Sequence, residues 1–164
     1  MSSFLELIRS FDAAHVDYVL VGGFATVIHG HQRLTGDVDF VIALDEANTL
    51  RAIDLLTSLG YRPRAPVDPR GFADPATRQS WVNEKGLLVM SFFNPSNAML
   101  EVDLFVDYPI PKEKLWESSK LIDVSGVNVR VCSIDHLIEM KLAASRPKDL
   151  EDVRILRIIK ESNG

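Results

Sequence analysis

Two adjacent glycines, Gly22 and Gly23, end the apolar run 16–21, and no other junction limits so tightly what the chain can become. The run is rich in β-branched and aromatic residues and reads as a buried strand that stops where the glycines begin. A short helix follows over 24–30, with Gly30 as its stop. Without a Cβ, the backbone at Gly22 and Gly23 can approach a ligand closely. The free amides of a helix N-terminus favour an anion such as phosphate. A strand, a glycine turn and a helix in this order point to a layered α/β (α+β) fold with a mixed β-sheet flanked by helices.

Arg33, Thr35, Asp37 and Asp39 follow the glycines. Asp37 and Asp39 open a second strand, read over 38–44, and residues two apart on a strand share a face. Their carboxylates repel each other unless a cation lies between them, and hard oxygen ligands of this kind suit Mg²⁺ held together with nucleotide phosphates. A solvated turn is the plainer alternative for two acids at this spacing. Asp103 lies inside a third apolar run, with Val102, Leu104 and Val106 on one face and Glu101, Asp103 and Phe105 on the other. An acid at a strand centre is costly to desolvate unless paired or metal-bound, which favours an active-site role over an edge strand with its polar face in water. If the two strands are neighbours, Asp103 joins Asp37 and Asp39 and is placed to take the proton of an attacking hydroxyl. Arg33 and Lys141 are candidates for phosphate oxygens, or else surface cations. His29 and His31 read as cap or surface residues, and Asp149 and Asp152 as helix-terminal and ion-pair partners.

Around these residues the chain alternates strand and helix. Phe4, Leu5, Leu7, Ile8 and Phe11 mark an opening amphipathic helix, and 46–59, closed by Gly60, a further one. Four prolines within 62–75 read as an irregular loop. Runs 87–93 and 98–106, separated by Asn94, Pro95, Ser96 and Asn97, read as a hairpin. A strand over 127–131 pairs with 121–124 across Ser125 and Gly126, and two helices follow, one capped by Ser133 and one begun by Pro147. With 164 residues and 46% hydrophobic content, a single domain over 1–164 is expected. A net charge of −5 argues against nonspecific nucleic-acid binding, although Lys141, Arg146, Lys148, Arg154, Arg157 and Lys160 form a basic strip on the last two helices. That strip is either a solvated face or a guide for an anionic acceptor. The lone Cys132 supports neither a disulfide nor a thiolate metal site. No apolar stretch has the length of a membrane span and the first residues lack a signal peptide's apolar core, so a cytoplasmic protein is expected.

Gly22 and Gly23, then Arg33, Thr35, Asp37, Val38 and Asp39, and much later Asp103, together resemble the nucleotidyltransferase superfamily that includes DNA polymerase β. The stretch 21–40 and the run Ile134, Asp135, Leu137, Ile138, Lys141, Arg146, Lys148, Asp149 and Asp152 are most similar to AbiEii-type toxins and their small relatives. They are also similar to aminoglycoside and lincosamide nucleotidyltransferases. The resemblance implies a nucleotidyltransferase fold with C-terminal helices. It implies that Gly22, Gly23, Arg33, Thr35 and Lys141 bind the nucleoside triphosphate, and that Asp37, Asp39 and Asp103 ligate two Mg²⁺ ions, with Asp103 as general base. Phe24 stands where many members carry a serine, which leaves the phosphate contact at the turn to the backbone. The implied reaction moves a nucleoside monophosphate to the hydroxyl of a tRNA, a protein or a small molecule, with a second copy or a cognate antitoxin as partner. The two other readings are an antibiotic-modifying enzyme and a nucleotide-binding or antitoxin-like module that no longer turns over.

Overall fold

The structure is a computed structural model that describes residues 2–163. Its strands are β1 (Tyr18–Val21), β2 (Asp37–Ile42), β3 (Arg62–Pro63), β4 (Val89–Phe93), β5 (Glu101–Phe105), β6 (Lys120–Val124) and β7 (Val127–Val131). They form one sheet in the order β3-β4-β5-β2-β1-β7-β6. The β2–β5 and β1–β7 pairs are parallel and the other neighbours antiparallel, so the sheet is mixed. Helices α1 (Ser2–Ala13), α2 (Gly22–His29), α3 (Glu46–Ser58), α4 (Pro75–Lys85), α5 (Lys112–Ser118), α6 (Ile134–Ala144) and α7 (Pro147–Asn163) surround it. No helix among the described residues is long and apolar enough to cross a membrane.

Alternation within the strands decides what the sheet buries. On β5, Val102 and Leu104 are fully buried while Glu101, Asp103 and Phe105 stay half-buried, the two faces expected from the period of two. The core gathers Phe11, Tyr18 and Phe40 at ring separations of 4.8–5.6 Å, each such pair adding about 0.5–1.5 kcal/mol beyond its buried area. Phe24 stacks on Phe4 at 4.6 Å, so it serves as an anchor of α2 against α1.

Capping chemistry sets the helix starts. Asp45 accepts from the Asn48 amide at the head of α3, and Ser133 accepts from His136 at the head of α6. Asp74 caps α4 ahead of Pro75, a helix that the proline-rich sequence hides. The stretch read as a loop also contains β3 and a 3-10 helix over Pro69–Ala73, where Gly71 lets the Trp81 ring pack close to the backbone. Helix α5 is likewise absent from the sequence reading. α2 begins at Gly22, so both glycines belong to its first turn, and Gly30 ends it at φ 125°.

Candidate active site

The site lies where the start of β2 and β5 meets the first turn of α2. The parallel register sets Asp39 opposite Asp103 and Asp37 opposite Glu101, so the three expected carboxylates stand on one face of adjacent strands. Val21 is paired with Asp39 across β1 and β2, which brings the glycine turn over the same spot. A Cβ on Gly22 would lie 2.1 Å from Asp39 Oδ2, and φ there is +71°, so only glycine allows the carboxylate to nest against this backbone. A Cβ on Gly23 would lie 2.8 Å from Thr35 Oγ1 and 2.9 Å from Arg33 Nη2. No side chain caps α2, leaving its first amides free on the side of the carboxylates.

An open cleft of about 200 Å³ is lined by all eight residues singled out in the sequence: Gly22, Gly23, Arg33, Thr35, Asp37, Asp39, Asp103 and Lys141. Leu137, Met140, Arg146, Lys148 and Asp149 complete its helical side.

Charge is distributed unevenly across the cleft. Burial, then the facing Asp103 carboxyl and the nearby Asp37, push the Asp39 carboxyl up to about 8. Burial also raises Asp103, held back by hydrogen bonds from Ser91 and Asp39. Asp103 Oδ1 is buried with no hydrogen-bond partner. A stranded carboxylate oxygen beside a second, protonation-prone carboxyl fits a site meant for a cation. Among the described residues, no group of three or more His, Cys, Asp or Glu is gathered tightly enough to hold a metal ion by itself.

On the opposite side, Lys141 Nζ donates to Asp152 Oδ2 at 2.7 Å and Arg33 Nη2 to the same oxygen at 3.0 Å. His31 Nε2 lies 3.2 Å from Asp152 Oδ1. Arg33 Nε is buried without a partner, a donor left over beside the glycine turn. Arg146 pairs with Asp149, Arg154 with Glu151 and Lys160 with Asp135, so the basic strip is largely neutralised by its own helices. His29 Nε2 meets the Cys132 carbonyl at 2.8 Å, tying α2 to the end of β7. The residue that sequence reasoning undervalued is Asp152. Asp149, Asp152, Val153 and Leu156 form one buried stripe of α7, so the helical period itself places both acids on the inner face.

No known family profile matches the chain, and no curated protein matches it in sequence. Solved structures do resemble it. The lincosamide antibiotic adenylyltransferase LnuA with lincomycin bound superposes at a TM-score of 0.67 with 16% identity over 97% of each chain. ANT(2'')-Ia in complex with adenylyl-2''-tobramycin gives 0.60 and 15%, covering 98% of this chain and 96% of that one. An antigenic nucleotidyltransferase-like protein from Paracoccidioides brasiliensis gives 0.62 and 16%, over 96% and 73%. At such identities the likeness is one of architecture, and it is unambiguous: the chain has the nucleotidyltransferase fold.

Proposed function

We propose that the chain is a single-domain, Mg²⁺-dependent nucleotidyltransferase that moves a nucleoside monophosphate from a nucleoside triphosphate to an acceptor hydroxyl. One observation carries the reading. The parallel register of β2 and β5 sets Asp39 beside Asp103, and both, with Asp37, face the uncapped glycine start of α2 across one cleft. The amides of Gly22 and Gly23, the Thr35 hydroxyl, Arg33 and Lys141 hold the triphosphate. Asp37, Asp39 and Asp103 would hold two Mg²⁺ ions, which would supply charge neutralisation at the phosphates.

The acceptor oxygen attacks the α-phosphorus and a new P–O bond forms. The bond from that phosphorus to the oxygen bridging it to the β-phosphate breaks, and pyrophosphate leaves with the bonding pair. Asp103 takes the acceptor's proton, a role that its raised pKa suits. The acceptor approaches along the half-buried face that runs from Asp103 to Ser91 on β4, flanked by Phe93 and Phe105.

An AbiEii-like enzyme that modifies tRNA or protein in the cytoplasm, paired with a cognate antitoxin or a second copy, is the reading favoured by the glycine-to-aspartate stretch and the α6–α7 charges. A small-molecule acceptor is the second reading, favoured by the likeness to structures holding lincomycin and adenylyl-tobramycin. Retention of all three carboxylates supports turnover over an inactive binding module. The test offers radiolabelled triphosphates with Mg²⁺ to total tRNA, to the protein itself and to aminoglycosides and lincosamides. Transfer to one class identifies the acceptor. No transfer to any of them, together with no Mg²⁺-dependent triphosphate binding by calorimetry, overturns the enzyme.

A further inference from the structure

We propose that Asp152 is a positioning residue, one that holds Lys141 and Arg33 in place for the triphosphate; this rests on the nucleotidyltransferase reading above. Asp152 is 1% exposed, and three basic side chains from two other segments converge on its carboxylate. Lys141 and Arg33 share Oδ2, and His31 takes Oδ1. A buried carboxylate facing several donors fixes each of them by charge-assisted hydrogen bonds.

What the three partners have left over gives the arrangement its purpose. Lys141 uses one of its three N–H donors on Asp152, and both Lys141 and Arg33 line the cleft. Arg33 uses Nη2 on Asp152 and Nη1 on the Leu34 carbonyl, leaving the buried Nε without a partner. One donor fixes Lys141 and leaves its other two for an anion, while Arg33 is held at both Nη1 and Nη2 with its guanidinium at the cleft wall. Asp152 touches no part of the carboxylate group across the cleft, so it acts only through the cations it holds.

Two effects oppose each other here, and their signs differ. If Asp152 only neutralised nearby cations, its removal would leave the cleft more positive and tighten anion binding. If it positions them, its removal lets Lys141 and Arg33 repel each other out of place, and binding weakens. Asp152→Asn and Asp152→Glu therefore decide the matter, with Asp135→Asn as a control that breaks the exposed α6–α7 pair instead. The measurements are calorimetric binding of inorganic tripolyphosphate, which is independent of base preference, and KM and kcat for Mg²⁺–triphosphate, on variants whose circular dichroism matches the wild type.

The expected result is at least a tenfold loss of tripolyphosphate affinity in Asp152→Asn, an equal rise in KM with kcat changed less than threefold, and no change in Asp135→Asn. Asp152→Glu keeps the charge and the fold but moves the carboxylate by one methylene, and is expected to lose affinity while melting near the wild type. If either folded Asp152 variant binds tripolyphosphate within twofold of the wild type, or more tightly, the positioning role is wrong while the nucleotidyltransferase reading stands. If the wild type itself binds neither tripolyphosphate nor Mg²⁺–triphosphate, that reading fails and the positioning role with it.

Discussion

The two sides of the cleft are charged oppositely and are stabilised in opposite ways. On the helical side, Lys141 and Arg33 share the Asp152 carboxylate and Arg146 rests on Asp149. On the sheet side, none of Asp37, Asp39 and Asp103 forms an ion pair among the described residues. Lys141, Arg33 and Arg146 are therefore paired in the protein alone, whereas the acidic side carries a repulsion that a proton or a cation relieves. Stability and function should respond in opposite directions when each side is altered.

The largest effect concerns activity. Asp103→Asn and Asp39→Asn are each expected to lower transfer by about 10²–10⁴-fold, read as label incorporation, because each removes a proposed metal ligand and Asp103 also the proposed base. The same Asp39→Asn should raise the melting temperature of the metal-free protein, since it removes a buried repulsion. Asp152→Asn should instead lower melting by on the order of 10 °C, because it leaves Arg33 and the buried Lys141 beside a neutral group. Identical shifts in the two variants would erase the contrast between the sides.

Gly22→Ala ranks next. Its Cβ would sit 2.1 Å from Asp39 Oδ2 at a positive φ, so the carboxylate must move, and loss of transfer should approach that of Asp39→Asn but with lowered melting. Transfer near the wild-type level would mean that Asp39 does not need its nest.

The pH response follows from the sign of the shifts. Asp39 and Asp103 have folded pKa values above the unfolded carboxylate value, so the folded state binds the proton more tightly than the unfolded chain. Their stabilisation is complete below about pH 4 and is lost as pH rises through the folded value, about 8 for Asp39. In a chelator, melting temperature should decline from about pH 4 to 8, with millimolar Mg²⁺ or Asp39→Asn flattening the slope. A melting curve insensitive to both would contradict the crowded carboxylates. Smallest of all, Glu151→Gln breaks an exposed pair on α7 and should leave the midpoint of a denaturant titration unchanged.

Much of the acidic side was legible because it obeys period-two rules. Asp37, Asp39 and Asp103 stand on strands whose apolar alternation fixes their facing, and only the β2–β5 adjacency had to come from the structure. The glycine turn was equally legible, since no other residue type tolerates that backbone beside a carboxylate. The basic side was less so. Lys141 and Arg33 appear in sequence as two separate cations, and nothing local reveals that one carboxylate on another helix receives both. Helix α4 was hidden by the prolines around it, although Asp74 and Pro75 are a cap and a first-turn residue.

The Asp152 contacts also order the steps by which the chain folds. Lys141 lies 11 residues from Asp152 and Arg33 lies 119, so the second contact costs about 2 kcal/mol more in loop-closure entropy. The α6–α7 hairpin can form its buried pair locally, while the Arg33 contact waits for the sheet between them. In a refolding experiment followed by hydrogen exchange, α6 and α7 should gain protection together and before the loop that carries His31 and Arg33. The wall of the cleft made by Arg33 and Lys141 is then completed only after the α6–α7 hairpin has formed, so that partly folded chains carry that hairpin without the full cleft.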